Sequence, residues 1–233
     1  MDEQILQFQK YLDTSNNTIV ITGAGVSMSA GIMDMEHMNV FQVMQTSLEP
    51  MVRARPEHSY KLLQKSFLKA MFVTGPSITH KKLADLEKRS KVQGVITTNI
   101  DCLHTIAGSQ NVAEIQGSYG VNKCLRCGER YDNVQIWNHG KAPRCQQCNG
   151  VIASFPVYTH IGLSDAEYQK AVRWMAQAEL VVVIASKGMY GGYWSHKNPC
   201  AKVIQINPKH TQFDEIALLN IRKNADEVLG LLN

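Results

Sequence analysis

Four cysteines are the residues whose spacing points most directly to chemistry. They form two CxxC pairs with 17 residues between the pairs: Cys124, Cys127, Cys145 and Cys148. This is the spacing of a structural zinc site, in which four thiolates complete a tetrahedron and leave no position open for catalysis. Two redox-active pairs are the alternative, but each pair sits in a glycine- and polar-rich segment of the kind found in zinc knuckles. We therefore predict structural zinc, and we interpret the unpaired Cys102 and Cys200 as packing residues.

A second candidate site is a glycine turn near the N-terminus. Residues 18–22 form a β-branched run that ends at Gly23, Ala24 and Gly25. Glycine can adopt backbone angles closed to other residues and lets the main chain approach a pyrophosphate, and a helix after the turn points its N-terminal amides at that charge. The pattern predicts the opening unit of a dinucleotide-binding fold, although many strand–helix turns with two glycines bind no nucleotide.

The elements that must position these residues alternate between strands and helices. We expect strands at 18–22, 94–98, 112–115, 180–185 and 202–207, and helices at about 3–14, 57–72, 79–90, 165–178 and 223–232. Such alternation predicts a parallel sheet covered on both faces. The predicted fold is a Rossmann-like α/β domain with a small inserted zinc module. Its predicted parts are the Rossmann-like domain at 1–117 and 155–233, a helical insert at about 33–80 and the zinc-binding module at 118–154.

Composition excludes several function classes. With 44% hydrophobic and 19% charged residues, the chain has the composition of a globular protein. Its net charge of +4 comes from scattered lysines and arginines, so we expect no nucleic-acid partner. No apolar run approaches the ~20 residues of a membrane span, and the acidic, amphipathic N-terminus does not resemble a secretory signal. We expect a cytoplasmic protein with no membrane partner.

A third constellation carries a family resemblance. Its central segments are TTNID at 97–101, LH at 103–104, AGS at 107–109 and EIQGS at 114–118. Upstream, GAGVS at 23–27 is followed by AGI at 30–32 and by Asp34. In this order, and with the cysteine pairs where that family carries structural zinc, the chain resembles the sirtuins over essentially its whole length.

The resemblance implies an NAD-dependent enzyme and assigns roles to individual residues. It implies that Gly23, Ala24, Gly25 and Ser27 bind the pyrophosphate of NAD, that Asp34 belongs to the same cofactor-binding loop, and that Ser186 and Asn207 bind the adenosine half. It also implies that Asn99 and Asp101 lie at the nicotinamide ribose, with Gln116 as a hydrogen-bonding partner of the ribose hydroxyls, and that Thr98 is a further cofactor-binding residue. The implied catalytic residues are Asn99, Asp101 and Gln116.

The chain departs from the sirtuin pattern where the chemistry occurs. Gln116 replaces the family's catalytic histidine, a Met-Glu pair at 35–36 replaces Phe-Arg, residues 157–162 replace the substrate strand, and Ala185 replaces the threonine of a GTS motif. Imidazole titrates near working pH and can act as a general base, whereas a carboxamide only donates or accepts hydrogen bonds. Loss of a general base costs about 10²–10⁴-fold in rate, so we expect impaired deacylation but retained cleavage of nicotinamide.

This combination resembles the macrodomain-linked sirtuins, which also carry glutamine at this position and are implicated in protein ADP-ribosylation. The predicted function is therefore transfer of ADP-ribose from NAD to a protein acceptor. Four alternatives stay open: a weak lysine deacylase, a non-catalytic NAD or ADP-ribose binding module, NAD hydrolysis with water as acceptor, and an engineered Gln116 in a working deacylase. His37 and His160 are candidate substitute bases.

Overall fold

The computed structural model describes residues 2–32 and 40–233 of the chain. Its strands are β1 Thr18–Thr22, β2 Gly94–Thr97, β3 Val112–Glu114, β4 Asn122–Cys124, β5 Ile152–Ser154, β6 Leu180–Ile184, β7 Lys202–Ile206 and β8 Leu219–Ile221. Its α-helices are α1 Glu3–Thr14, α2 Val40–Ser47, α3 Glu49–Ala54, α4 Pro56–Gln64, α5 Phe67–Lys69, α6 Ile78–Lys88, α7 Leu103–Ala107, α8 Phe155–Tyr158, α9 Asp165–Gln177 and α10 Ala225–Gly230. A π-helical turn, Ala70–Thr74, joins α5 to Gly75.

Six strands form one parallel sheet in the order β3-β2-β1-β6-β7-β8. The chain first builds outward from β1 to β3 and then returns to place β6 on the other side of β1, where Ile21 is in register with both Ile96 and Val183. The loops after β1 and β6 therefore leave the sheet in opposite directions. In a doubly wound sheet, the crevice at this switch point is where ligands bind.

Two apolar layers cover the sheet because its side chains alternate between faces. Val20 faces the helices α1, α6 and α10, while Ile19 and Ile21 face α9, which contributes the buried Met175. The central strands are buried on both faces, which explains why their sequences are continuously apolar. Such strands are typical of a parallel sheet with helices on both sides.

The zinc module and the helical insert share a hydrophobic cluster. β4 and β5 pair antiparallel within the module. The Tyr60 hydroxyl of α4 donates to the carbonyl of Trp137 at 2.9 Å, and the Trp137 indole donates to the Asn122 side chain at 3.0 Å. Tyr119 packs edge-on against Trp137, with ring centroids 5.4 Å apart. The insert is thus held against the module at one side of the crevice.

The Rossmann-like parallel sheet with helices, predicted from the sequence, is confirmed. The five predicted strands lie within one residue of their expected ends, whereas β8 and the short strands β4 and β5 were not predicted. The helix expected after the glycine turn is only a four-residue 3₁₀ turn, Ala24–Ser27. None of the helices in the described ranges is long and apolar enough to span a membrane.

Candidate active site

The glycine turn after β1 packs directly on the end of β6. A Cβ atom on Gly23 would lie 2.7 Å from the carbonyl oxygen of Ala185, and one on Gly25 would lie 2.8 Å from the Ala185 Cβ. Gly23 has an extended backbone, with φ −113° and ψ −175°, and Gly25 lies in the 3₁₀ turn. The expectation that these glycines supply unusual backbone angles is therefore wrong. They are required because any side chain would collide with Ala185 or Ser186, directly after β6.

The amides of this turn are also engaged within the protein. The Gly23 amide donates to the carbonyl of Ile184 at 3.1 Å, and the Gly25 amide donates to that of Ala185 at 3.4 Å. These two N–H groups bond to the last residue of β6 and the residue after it, while Ala24 and Ser27 line the adjacent cavity.

The floor of that cavity, which we define as Ser27, Asn99 and Asp101, is one hydrogen-bonded unit. The Ser27 hydroxyl donates to Asp101 Oδ2 at 2.6 Å, and Asp101 Oδ1 accepts from the Leu103 amide at 2.9 Å. Asn99 Nδ2 donates to the carbonyl of Gly23 at 3.1 Å and to Ser27 Oγ at 3.2 Å. All three floor residues are buried. Their side chains are fixed before any ligand binds, which is the preorganisation that a binding or catalytic site needs.

Buried polar residues from β1, β2 and α7 support the floor from beneath. The backbone amide of Asn99 donates to Thr97 Oγ1 at 3.0 Å, and Thr22 Oγ1 lies 2.9 Å from His104 Nε2. His104 packs against His80, with ring centroids 4.5 Å apart. Burial lowers the pKa of both imidazoles, and the neighbouring His80 lowers the pKa of His104 further. Both rings are therefore neutral and support the floor from beneath.

Gln116 is presented by a tight turn at the end of β3. The Gly117 amide donates to the carbonyl of Glu114 at 2.8 Å, and Gly117 has a φ of 64°, in the left-handed region that favours glycine. A Cβ on Gly117 would lie 2.2 Å from the Phe155 ring. Glycine is thus required twice at this position, and the turn places the half-buried Gln116 at the cavity.

The cavity has a volume of about 160 Å³ and lies between the sheet edge, the helical insert and the segment after the zinc module. It brings together six of the predicted site residues: Ala24, Ser27, Thr98, Asn99, Asp101 and Gln116. Six further lining residues lie outside the motifs and segments singled out from the sequence: Val43, Thr46, Ser47, Phe67, Tyr119 and Pro156. Most of these belong to the insert, and they carry no motif that the sequence alone would single out.

The residues predicted for the adenosine half lie at the carboxyl ends of β6 and β7. Asn207 Nδ2 donates to the carbonyl of Ser186 at 3.1 Å, and the Ser186 hydroxyl donates to the carbonyl of Gly188 at 3.3 Å. Both side chains are buried and hold these loops together. The structure does not bring them into the cavity that contains Asn99. Asp34, the Met-Glu pair at 35–36 and His37 lie outside the described residues.

One side of the cavity is formed by residues 155–162, which we call the wall segment. Its first half is the short helix α8, where related enzymes were expected to carry a substrate strand. The Thr159 amide donates to the carbonyl of Phe155 at 3.1 Å and the Ile161 amide to that of Pro156 at 2.8 Å, so these groups are engaged inside the segment. His160 and Ile161 have φ values of 55° and 60°. Ile161 lines the cavity, whereas the exposed His160 does not.

The four cysteines converge as predicted. Their sulfur atoms all lie within 4.8 Å of one another. The Cys124 and Cys148 sulfurs are 3.5 Å apart, and those of Cys127 and Cys145 are 3.6 Å apart. A tetrahedron with zinc–sulfur bonds of about 2.3 Å has edges of about 3.8 Å, so the cluster fits structural zinc. The Arg126 amide and the Tyr131 hydroxyl donate to Cys124 and Cys145, respectively, which is the outer-shell support such a site needs.

A sequence model of the Sir2 family matches residues 23–189, which include the glycine turn, the floor, Gln116 and all four cysteines. The chain belongs to the Sir2 family. It is 30% identical to an NAD-dependent protein deacetylase of Clostridium perfringens, over 99% of this chain and 98% of that protein. It is 32% identical to NAD-dependent protein deacetylase 1 of Pyrobaculum aerophilum, over 94% of this chain and 89% of that protein.

Solved sirtuin structures have the same fold. A sirtuin studied for the structural basis of its substrate affinity superposes with a TM-score of 0.83 at 27% identity, covering 99% of this chain and 97% of that one. A Sir2 complex with a p53 peptide and NAD⁺ superposes with a TM-score of 0.76 at 28% identity, covering 99% and 96%. This sirtuin is therefore a member of a family of NAD-dependent enzymes that act on protein substrates.

Proposed function

We propose that this sirtuin cleaves nicotinamide from NAD and transfers ADP-ribose to a protein acceptor. The observation that carries the proposal is Gln116 at the cavity, beside an intact floor. Among the described lining residues, Asp101 is the only carboxylate and none is a histidine. Both Asp101 oxygens already accept hydrogen bonds, from Ser27 and from the Leu103 amide. The described cavity thus offers groups that bind and orient, but no free general base.

The floor and Gln116 have distinct proposed roles. When bound, NAD supplies a glycosidic bond to nicotinamide, whose cleavage makes the ADP-ribosyl group transferable. Asn99 and Asp101 orient the nicotinamide ribose, because their side chains are fixed by Ser27 and cannot rotate away without breaking buried hydrogen bonds. Gln116 donates to or accepts from the ribose hydroxyls without removing a proton.

The remaining parts of the cleft bind rather than react. Ala24 and Thr98 line the cavity and are proposed contacts for NAD beside the floor. Gly23 and Gly25 shape the turn that carries Ala24 and Ser27, while Ser186 and Asn207 hold the loops proposed to receive the adenosine half. Asp34 keeps its proposed role as a cofactor-binding residue. The zinc module holds one side of the crevice and takes no part in the chemistry.

A weak NAD-dependent protein-lysine deacylase is the second candidate. The names of the curated relatives, which are NAD-dependent protein deacetylases, favour it. Against it stand the two changes that surround the cavity mouth, Gln116 in place of histidine and a helical wall segment in place of a strand. The two candidates share NAD cleavage and differ only in what accepts the ADP-ribosyl group.

Product analysis separates the candidates. The purified protein is incubated with adenylate-labelled NAD, a native lysate as the source of acceptors and an acetyl-lysine peptide, and the products are identified by mass spectrometry. We expect labelled protein, and we expect Asp101→Asn to abolish the label, because it removes the carboxylate while keeping the side-chain shape. O-acetyl-ADP-ribose without labelled protein would instead establish deacylation. Free ADP-ribose alone would mean hydrolysis, and intact NAD would mean a binding module.

A further inference from the structure

The turn that carries Gln116 is held on both sides by the chain around the wall segment. Phe155 packs directly against Gly117, where an added Cβ would lie 2.8 Å from Phe155 Cβ and closer still to the ring atoms Cγ and Cδ1. On the other side of Gln116, the carbonyl of Ile115 accepts from the amide of Ser164 at 2.9 Å. We call these two interactions the wall contacts. The residues before and after Gln116 are thus both fixed by one stretch of chain.

The sheet and the floor hold the same turn at its ends. The Ile115 amide donates to the carbonyl of Thr97 at 3.1 Å, and the Tyr119 amide donates to the carbonyl of Ile100 at 3.0 Å. These bonds fix where the turn leaves β3 and where it meets the loop after β2. The wall contacts, in contrast, bracket Gln116 itself.

Phe155 is anchored in its own right. Its backbone amide, directly after β5, donates to the carbonyl of Val121 at 2.7 Å. Its ring meets the Tyr158 ring edge-on, with centroids 5.5 Å apart, and Lys123 Nζ lies 4.0 Å from the centre of the Tyr158 ring. The zinc module and α8 therefore fix the side chain that packs against the turn.

The Gln116 carboxamide depends on this backbone for its direction. Its side chain makes no hydrogen bond to any residue in the described part of the chain, so the turn alone aims it at the cavity. A carboxamide acts only through the direction of its donors and acceptor. A misplacement of about 1 Å can cost about 10²-fold in rate. Whatever holds the turn is therefore expected to influence the chemistry.

We propose that Phe155 is a positioning residue for Gln116: the wall contacts set where the carboxamide meets the nicotinamide ribose during cleavage of NAD. Loosening these contacts then slows the release of nicotinamide without removing a group that binds NAD. Phe155 does not line the cavity, so it acts only through the turn. This inference rests on the proposed role of Gln116 at the ribose.

The first test is hydrogen exchange of the turn in the zinc-loaded protein, because it needs no ligand. Phe155→Leu removes ring atoms beside Gly117 and is expected to speed amide exchange in the peptide covering residues 114–120 by about tenfold or more. Phe8→Leu is the matched control, since it shortens a buried phenylalanine of α1 in the same way. Phe8 does not line the cavity, and exchange in the turn is expected to match wild type.

The second test separates catalysis from binding. Phe155→Leu is expected to lower kcat for nicotinamide release, measured with NAD and the native lysate, by about tenfold or more, and to leave the Kd of NAD within about twofold. Gln116→Ala removes the carboxamide, so adding Phe155→Leu to that variant is expected to lower kcat no further. A purely structural role of Phe155 would give the same loss in both backgrounds.

Ser164→Pro tests the other wall contact. It removes the amide that donates to the Ile115 carbonyl, and the φ of −83° at Ser164 is close to the value that proline imposes. Its kcat is expected to fall as in Phe155→Leu. Ser164→Ala keeps the amide and loses a side chain that makes no capping hydrogen bond, so it is expected to match wild type.

Four outcomes decide the inference. Wild-type exchange in the turn of Phe155→Leu overturns it, and so does an equal fall in kcat with and without Gln116. Nicotinamide release that Phe155→Leu and Ser164→Pro leave unchanged overturns it while the proposed function stands. Wild-type protein that releases no nicotinamide overturns this inference and the proposed function together. Release without labelled acceptor overturns only the proposed transfer.

Discussion

The floor of the cavity and its wall segment face the same space but differ in how their side chains are held. Ser27, Asn99 and Asp101 are buried, and they are joined to one another by hydrogen bonds. The wall segment is partly exposed, folds into a short helix and contains two consecutive left-handed residues, His160 and Ile161. Left-handed angles are strained for a β-branched residue such as Ile161. The floor, which we propose orients the nicotinamide ribose, thus keeps the family pattern, whereas the wall segment, which we propose faces the acceptor, departs from it.

The largest effect is expected at Gly117, in the turn that carries Gln116 and packs against Phe155 of the wall segment. Gly117→Ala places a Cβ 2.2 Å from the Phe155 ring at a φ of 64°, so it combines a steric clash with a left-handed conformation. We expect the free energy of unfolding to fall by about 3–4 kcal/mol, as measured by urea denaturation. Gly140→Ala is the matched control, since its φ is 73° but its Cβ would meet no atom within 4 Å, and it should cost only about 1 kcal/mol. Equal losses of unfolding free energy in both variants would show that the Phe155 ring moves to accommodate the added methyl group.

Beneath the floor, Glu114 is expected to make stability depend on pH. Its pKa rises from 4.5 to about 7 on folding, so the unfolded chain ionises first as the pH increases. The stabilising contribution is fully present below about pH 4.5 and is lost as the pH rises through about 7, an effect on the order of 3 kcal/mol. The measurement is the difference in unfolding free energy between Glu114→Gln and wild type across this range. A difference that stays constant with pH would contradict a raised pKa of Glu114 in the folded protein.

Gln116→His restores the missing base while leaving the wall segment unchanged. We expect deacylation of an acetyl-lysine peptide to rise by no more than about tenfold, well below the 10²–10⁴-fold of a fully used general base. The reason is that the backbone amides of Thr159 and Ile161 donate to carbonyls within the wall segment, so they are not available to pair with a peptide strand. Rates are read from O-acetyl-ADP-ribose formation. A gain of about 10³-fold would show that the wall segment admits the peptide and that the single change to glutamine separates this sirtuin from a deacylase.

The smallest effect is expected within the wall segment itself. Ile161→Gly relieves a left-handed β-branched residue and should raise the free energy of unfolding by up to about 1 kcal/mol. Leu163→Gly is the control, because Leu163 is similarly exposed but has no left-handed backbone to relieve, and it should destabilise the protein. Thermal unfolding of both variants checks the comparison. If both variants are destabilised alike, the angle at Ile161 stores no strain.

Much of the fold was predictable because its strands are buried on both faces. Continuous apolar runs such as 180–184 indicate a central parallel strand without help from any motif. The three-residue strand β8 carries Asn220 at its centre and was missed, because a short run with a polar residue has no clear period. The cysteine quartet was predictable from spacing alone, since zinc fixes the geometry that four thiolates must adopt.

The site was predictable only in part. The residues of the floor follow from the resemblance, and the structure brings them together with Gln116. Phe67 and Val43 reach the same cavity from an insert whose sequence carries no signature, so only tertiary packing reveals them. The role of the glycines was predicted wrongly because Ala185, with which a side chain on Gly25 would collide, lies 160 residues further along the sequence. The two residues meet only through the order of the strands in the sheet.

That collision changes what a substitution scan of the first loop would mean. Gly23 and Gly25 interlock with Ala185 and Ser186, so a side chain at either glycine pushes apart the two halves of the sheet at their seam. A variant such as Gly23→Ala would bind NAD more weakly because β6 is displaced, whether or not the main chain at Gly23 approaches a phosphate. A smaller residue at position 185 would remove the nearest atom that a side chain on Gly25 meets. Ala185→Gly is therefore the second-site change expected to rescue a Gly25→Ala variant.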